Sequence, residues 1–406
     1  MTSAAMDSIV APLLSVAPTR ALVDEMFTVR VENLPPCQHF TLHSLHLSED
    51  NDYWEAFGHY TSNHKGTVVP QDYTKGGTYT GKEPMGLLWS LRPVPGSRKG
   101  LRLRKMNVCS PLLYTISVYS GHLVVGFRAQ APLASALAER WYMAPGVQRI
   151  SIKEKAVRGT MFFPPGTEWP LPWTLGYYFG PGEMETTEMK SNYFETAFNI
   201  VKDHPRVISN KVGIVGLSLG ATVAFYLATE SKVVKPCCCV CINGHHFNPS
   251  GKHLFDLSYD SFKMHVRKLS AYWIDCFEYQ ESIIIIYLNF WQMGKINCPM
   301  LLVCGEDDQN VPAVEVADDI ERMVRAAGKD RLLTRLNYPG AGHLIEVPYA
   351  PHFRVTAFMQ AKEQKVMIVW GGQTKPHSDA QEDSWQKILD YLQLHLYSCP
   401  SLASKL

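Results

Sequence analysis

Residues 212–225 read V-G-I-V-G-L-S-L-G-A-T-V-A-F, and this stretch limits the fold more tightly than any other. Val212-Gly213-Ile214-Val215 has the apolar, β-branched character of a buried strand. Gly216-Leu217-Ser218-Leu219-Gly220 follows, and Ala221–Leu227 then continues with a helical composition. A strand, a tight glycine-flanked turn and a helix in direct succession form the unit from which parallel α/β sheets are built. In such a turn a Cβ at the glycine positions would crowd neighbouring backbone, and the serine is held at the tip with its Oγ exposed. The plainer alternative is a βα turn with an incidental serine. The strand before and the helix after favour a nucleophile at Ser218.

A serine hydroxyl needs a base, and in α/β-hydrolases the chain order is serine, acid, histidine. Downstream, Met300–Asp308 (M-L-L-V-C-G-E-D-D) reads as a strand ending in a turn with two adjacent aspartates. A carboxylate there can hold an imidazole in the right tautomer. Further on, Tyr338-Pro339-Gly340-Ala341-Gly342-His343 is a glycine-rich loop presenting one histidine. His343 as base satisfies the order. Read singly, Asp307 and Asp308 fit a solvated turn and His343 an ordinary loop histidine; order and strand context favour a triad. The other fourteen of the 15 histidines are assigned to surface or packing.

The rest of the chain divides in two. Over residues 1–145, Phe27, Val29 and Val31 alternate with polar neighbours, as do Tyr114, Ile116 and Val118, the period of half-buried strands. Ser120-Gly121 is expected to turn the chain into a further strand, His122–Phe127. The pattern predicts a small antiparallel β-sandwich, with Arg140–Gly146 as junction. Residues 146–398 alternate strand-like and helical runs, an α/β domain with a parallel sheet. Its last helix is predicted from Trp385, Ile388, Leu389, Leu392 and Leu396, with Ser378-x-x-Gln381 as a capping box. Residues 399–406 form a tail ending Ser404-Lys405-Leu406, the form of a receptor-read peroxisomal address.

Several classes are disfavoured. The formal net charge of +1 gives no basic field for nucleic acid. The N-terminus has no basic region before its short apolar run, unlike a secretory signal. The longest apolar run, Ser282–Trp291, is about half of the roughly 20 residues a spanning helix needs, so no membrane span is expected. Ten cysteines in 406 residues are too few and too irregular for a disulfide scaffold. Cys237, Cys238, Cys239 and Cys241 crowd together, but neighbours on a strand point to opposite faces and converge poorly on one ion. Reduced, buried thiols and no metal are the expectation.

At these residues the chain resembles the type I acyl-CoA thioesterases and bile acid-CoA:amino acid N-acyltransferases. The similarity covers nearly the whole length. It is carried by Arg140–Val147 (R-W-Y-M-A-P-G-V), Arg158-Gly159, Phe163-Pro164-Pro165-Gly166, Tyr338–Glu346 (Y-P-G-A-G-H-L-I-E), and Trp370-Gly371-Gly372 followed by Ala380-Gln381-Glu382. The resemblance implies an N-terminal β-sandwich (immunoglobulin-like) domain and a C-terminal α/β-hydrolase domain acting on acyl-CoA thioesters. It places the nucleophile at Ser218, the acid at Asp308 and the base at His343. The acyl-CoA is substrate, and no cofactor is implied. Thioesterase members carry serine at the elbow and pass the acyl group to water; conjugating members typically carry cysteine and pass it to glycine or taurine. Ser218 therefore favours hydrolysis, with N-acyl transfer as the alternative. The tail implies the peroxisomal import receptor as partner and the peroxisome as location, with the cytosol as the alternative.

One interval departs from the family pattern. Between Gly166 and Lys211 an intact hydrolase core would place two strands and two helices. With strands of about five residues, helices of about eleven and connections of two to six, those elements more than fill it. The sequence shows one strand-like run, Pro172–Phe179, a turn at Gly180-Pro181-Gly182, and one helical pattern, Tyr193–Val201. One strand-helix unit is expected to be absent, its ends joined near Leu175-Gly176. The oxyanion hole would keep the Leu219 N–H and lose the donor from the missing loop, which leaves an impaired acyl-CoA-binding paralogue as a third reading.

Overall fold

The computed structural model describes residues 11–70, 74–166, 170–177, 191–248, 289–359 and 365–397. Cys276, Cys399, Gly180–Gly182, the terminal Ser404-Lys405-Leu406 and all but the last three residues of the run Ser282–Trp291 lie outside them. Two compact units divide the chain: Met1–Ala144 with Val347–His352, and Pro145–Glu346 with Phe353–Leu406.

The first unit is built from β1 (Leu13–Ala17), β2 (Arg20–Leu22), β3 (Thr28–Glu32), β4 (His39–Leu47), β5 (Tyr53–Thr61), a one-turn helix α1 (Gly86–Trp89), β6 (Arg92–Pro93), β7 (Leu112–Ser120) and β8 (Ala134–Trp141). Six strands pair in the order β2-β8-β7-β4-β5-β6, and β1 pairs with β3 in a second sheet. Alternation decides which side chains point inward. Val29 and Val31 are fully buried between exposed Thr28 and Arg30, and Ile116 and Val118 are fully buried on β7. Each such side chain stabilises the fold by about 1.5–3 kcal/mol.

Three details differ from the sequence expectation. The β2–β8 pair is parallel, so the larger sheet is not wholly antiparallel. His122–Phe127 is not a strand. Gly121 and Gly126 both sit at positive φ, 77° and 81°, and bend the chain into a loop. Side chains pin that loop: Leu123 N–H donates to Thr41 Oγ1 at 2.9 Å, and His59 Nε2 donates to the Leu123 carbonyl at 2.8 Å. The strand that returns against β7 is β8. Arg140 lies within β8 rather than in a linker; it is buried, with its guanidinium 4.5 Å from the centre of the Phe27 ring.

The second unit opens with an antiparallel hairpin, β9 (Gln148–Glu154) and β10 (Val157–Phe163). Then come β11 (Leu171–Tyr177), α2 (Ser191–Lys202), β12 (Val207–Leu217), α3 (Leu219–Thr229), β13 (Cys239–Ile242), the short pair β14 (Phe247–Asn248) and β15 (Asn289–Phe290), β16 (Met300–Gly305), α4 (Ala313–Ala326), β17 (Leu333–Tyr338), the hairpin β18 (Val355–Met359) and β19 (Lys365–Val369), and α5 (Thr374–Leu392). The main sheet is parallel throughout, ordered β11-β12-β13-β16-β17. Strands β13 and β16 are buried at every residue, as strands covered on both faces must be.

Because the strand order never reverses, right-handed crossovers put the connecting helices on one face. Phe194 and Phe198 of α2, Phe225 and Leu227 of α3, and Ile320 and Val324 of α4 share one core with Ile214, Cys239 and Cys241. The alternate residues Val215, Val240 and Ile242 face the other side, where Ala380 and Ile388 of α5 pack. Among the described residues a single strand and a single helix, β11 and α2, stand between Gly166 and β12. Among the described strands, β11 pairs with β12 alone in the main sheet and stands at its end.

Helix α5 begins at Thr374, four residues ahead of the predicted capping box. Ser378 and Gln381 are buried within the helix instead of closing its end. Pro376 is tolerated because first-turn N–H groups have no intrahelical acceptor. Leu389, assigned to the apolar face, is exposed. Of the cysteines, Cys238, Cys239, Cys241, Cys298 and Cys304 are buried free thiols, Cys237 is half-buried, and Cys37 and Cys109 are exposed. Burial pushes the Cys238 and Cys304 thiols up to about 12, so both stay protonated. No described helix is long and apolar enough to cross a membrane.

Candidate active site

Strand β12 ends directly in the turn that carries Ser218. That residue sits at φ 58°, ψ −121°, a region that side-chain-bearing residues rarely adopt and that costs on the order of 1–3 kcal/mol. Three features hold it there. A Cβ on Gly216 would lie 2.2 Å from the backbone C and O of Gly220, so only glycine allows the strand and helix to approach this closely. Ser218 N–H donates to the Ile242 carbonyl of β13 at 2.8 Å. The Ser218 carbonyl accepts the first helical bonds of α3, from Ala221 N–H at 2.9 Å and Thr222 N–H at 3.1 Å. Ser218 remains half-buried and reachable from solvent.

The other two residues arrive from loops that follow β16 and β17. Asp308 Oδ1 accepts N–H bonds from Asn310 and Val311 at 2.8 and 2.9 Å, which turn its second oxygen toward His343. His343 Nδ1 lies 2.7 Å from Asp308 Oδ2, and His343 Nε2 lies 2.7 Å from Ser218 Oγ. An ionised carboxylate only accepts, so Nδ1 carries the hydrogen, and Nε2 presents a lone pair to the serine hydroxyl. His343 is fully buried and its ring stacks on Trp370, with centroids 5.5 Å apart and planes 14° from parallel. The neighbouring Asp307 is turned elsewhere: its Oδ2 accepts Gly372 N–H at 3.0 Å.

The backbone crowds closely around this relay. A Cβ on Gly305 would sit 2.5 Å from the Gly342 carbonyl, and one on Gly342 would sit 2.5 Å from the carbonyl of Gly371. Gly305 at the end of β16 and Gly342 of the predicted loop therefore let the Asp308 loop, the His343 loop and the Trp370-Gly371-Gly372 turn stack on one another. Leu219 opens α3, so its N–H has no intrahelical acceptor. Residues 178–190, which follow β11 and where a second oxyanion donor would be sought, lie outside the described residues.

Ser218, Asp308 and His343, singled out from sequence, thus lie together. Three neighbours were not singled out for this site. Asn243 follows β13 at φ 48° and donates through Nδ2 to the carbonyls of Gly342 and His343, at 3.2 and 2.7 Å. Its Oδ1 accepts Gly305 N–H at 2.8 Å, so one amide ties the acid strand to the base loop. The available signal was an asparagine, a residue tolerant of positive φ, directly after an apolar strand. Trp370 appeared only within a motif, and His377 was assigned to packing.

A parallel sheet crossed by right-handed helices, with serine on the elbow and acid and histidine from later strand ends, is the α/β-hydrolase fold. Within that fold, residues 189–398 match the family model described as BAAT / Acyl-CoA thioester hydrolase C terminal, and residues 24–154 match the Acyl-CoA thioester hydrolase/BAAT N-terminal region. The chain belongs to this acyl-CoA thioester hydrolase/BAAT family. It is 30% identical to the Mus musculus bile acid-CoA:amino acid N-acyltransferase and 32% identical to the Mus musculus peroxisomal succinyl-coenzyme A thioesterase, each alignment covering 97% of this chain and 99% of the relative. It is 29% identical to the Mus musculus acyl-coenzyme A thioesterase 1, over 93% of this chain and 95% of that one. These relatives mark it as a hydrolase or acyl-transfer protein. The first alignment runs over 435 positions against a chain of 406 residues, so at least 29 positions of that relative face a gap here.

Proposed function

We propose that this protein is an acyl-CoA thioesterase that hydrolyses fatty acyl-CoA to free fatty acid and CoA through Ser218, His343 and Asp308. The observation that carries the reading is the unbroken relay Ser218 Oγ–His343 Nε2 and His343 Nδ1–Asp308 Oδ2, 2.7 Å at each step. Ser218 Oγ attacks the thioester carbonyl as its proton passes to His343 Nε2. Asp308 stabilises the imidazolium. The Leu219 N–H supports the tetrahedral oxyanion, and lack of a second donor would cost on the order of 10²–10³ in rate. CoA leaves as a thiol on taking the proton from His343. Water, deprotonated by the same nitrogen, then releases the acid. No step calls for a metal or cofactor.

The acceptor is the point at which a second reading enters, because relatives named as thioesterases and as N-acyltransferases match at similar identity. A serine ester yields to an amine where the pocket excludes water and holds glycine or taurine. The single edge strand β11 supports the third, impaired reading. Purified protein incubated with palmitoyl-CoA, with and without glycine or taurine, separates them. Free palmitate alone, lost in Ser218→Ala, is the expected result. An amino-acid conjugate refutes a purely hydrolytic role, and no turnover by folded, monodisperse protein favours the impaired reading. The Ser404-Lys405-Leu406 terminus and the relative named as peroxisomal support import by the peroxisomal receptor. Diffuse cytosolic signal from a reporter carrying the intact C-terminus would overturn that assignment.

A further inference from the structure

His377 stands in the first turn of α5 and is 2% exposed. Both of its ring nitrogens are engaged with the loop that carries His343, one on each side of that residue. Gly342 N–H donates to His377 Nδ1 at 3.0 Å. Nδ1 is therefore the nitrogen without a hydrogen, so Nε2 carries it and donates to the Leu344 carbonyl at 2.8 Å. A protonated ring would turn an N–H toward the Gly342 N–H and lose that bond, so this geometry requires neutral imidazole in a single tautomer.

The three-residue segment Gly342–Leu344 has no ladder or helix of its own to set its shape. Its backbone is set by groups from elsewhere: His377 at both ends, Asn243 on the carbonyls of Gly342 and His343, and the Trp370 carbonyl on His343 N–H at 2.8 Å. Asn243 grips carbonyls only, and Trp370 grips one amide. Among these, His377 alone spans the segment from Gly342 to Leu344, and so fixes both the height and the tilt of the residue between.

We propose that His377 is a positioning residue that holds the backbone on both sides of His343, so that Nε2 of His343 meets Ser218 Oγ. The proposal rests on the triad reading above. A base displaced by about 1 Å loses on the order of 10² in rate, and the bracing bonds operate at that scale.

The test uses His377→Ala, His377→Asn and His377→Gln in the full chain, beside wild type and Ser218→Ala. Asn Oδ1 can stand where Nδ1 accepts; Gln Nε2 can stand where Nε2 donates. The readouts are the rate of Ser218 phosphonylation by a fluorophosphonate, active sites titrated at completion, kcat and KM for palmitoyl-CoA per titrated site, and the pH profile. The expected result is a full titre, with phosphonylation and kcat lowered about 10²-fold in His377→Ala and KM nearly unchanged. The acid limb of the profile, set by protonation of the base, should move, and Asn or Gln should recover part of the rate. A merely structural role predicts fewer titratable sites, each with wild-type kcat. That result, in any of the three variants that folds, overturns the proposal. If wild type is not phosphonylated, or Ser218→Ala reacts equally well, the triad reading fails and the proposal falls with it.

Discussion

Gly216→Ala tests whether the elbow depends on the approach of β12 to α3. The added Cβ would sit 2.2 Å from both the carbonyl carbon and the oxygen of Gly220, where ordinary carbon contacts lie near 3.5–4 Å. Both clashing atoms are backbone, so no rotamer change relieves the overlap. The strand end and the helix start must separate by roughly 1 Å or more. Overpacking of this kind costs about 1–3 kcal/mol, which for a domain of this size lowers Tm by roughly 2–4 °C per kcal/mol. The functional cost should be larger. Ser218 lies between the two separating residues, and a 1 Å shift of its Oγ from His343 Nε2 lengthens a 2.7 Å contact beyond hydrogen-bond range. A loss on the order of 10² in phosphonylation rate and kcat follows. Thermal melts and fluorophosphonate kinetics on the same preparation check both quantities. An alanine variant with wild-type kinetics and an unshifted Tm would refute the strained elbow and the role of Ser218 built on it.

Other perturbations follow from the same geometry. In Asp308→Asn, the amide oxygen can keep the Asn310 and Val311 N–H bonds while its NH₂ faces His343 Nδ1, which moves the ring hydrogen to Nε2 and removes the acceptor for Ser218 Oγ. A kcat loss of about 10⁴-fold is expected with a nearly unchanged melt; a loss below tenfold would show that another group orients the base. Asp319 should govern part of the acid stability. The hydrogen bond from His246 Nε2 at 2.6 Å, and then Arg322, hold its carboxyl below the ordinary value of 3.8 against the opposing effect of burial. A depressed folded pKa gives stability that is present above pH 3.8 and lost as pH falls through the folded value. Asp319→Asn should therefore melt lower than wild type at neutral pH, with the gap closing at strongly acid pH; a gap that is constant with pH would refute the assignment.

The triad was legible in sequence because each member is announced locally. Ser218 follows a buried strand and precedes a helix, Asp308 lies in the turn just after another strand, and His343 lies in a run of glycines. The clamp around them was not legible, because His377 is 35 residues from Gly342 and 33 from Leu344 and no local pattern pairs them. Helix α5 was misjudged at its start for a related reason. The buried face at that end carries His377, Ser378 and Gln381 rather than leucines, so hydrophobic period registers only from Trp385 onward. His122–Phe127 misled in the opposite way: an apolar run bounded by glycines has the composition of a strand, but it is held by His59 and Thr41 side chains.

The shortened interval and the intact relay are physically separable, and this decides where its effect falls. The relay uses the buried C-terminal part of β12, the buried strands β13 and β16, the loop after β17, and α5 behind it. Nothing in it borrows a side chain from β11. What the absence of a strand-helix unit would remove is instead a neighbour for β11 and, with it, the covering of one sheet edge. On β11, Leu171, Pro172, Thr174 and Leu175 are only half-buried, whereas β13 and β16 are buried throughout. A parallel edge left without a neighbour would expose N–H and C=O groups to other chains. Any cost of such a shortening would therefore fall on solubility and on the oxyanion side of the site, while Ser218, His343 and Asp308 keep their mutual geometry. A fluorophosphonate, whose reaction depends on nucleophile and base, should thus retain more of a relative's rate than thioester turnover, which also needs the acyl group and its oxyanion held.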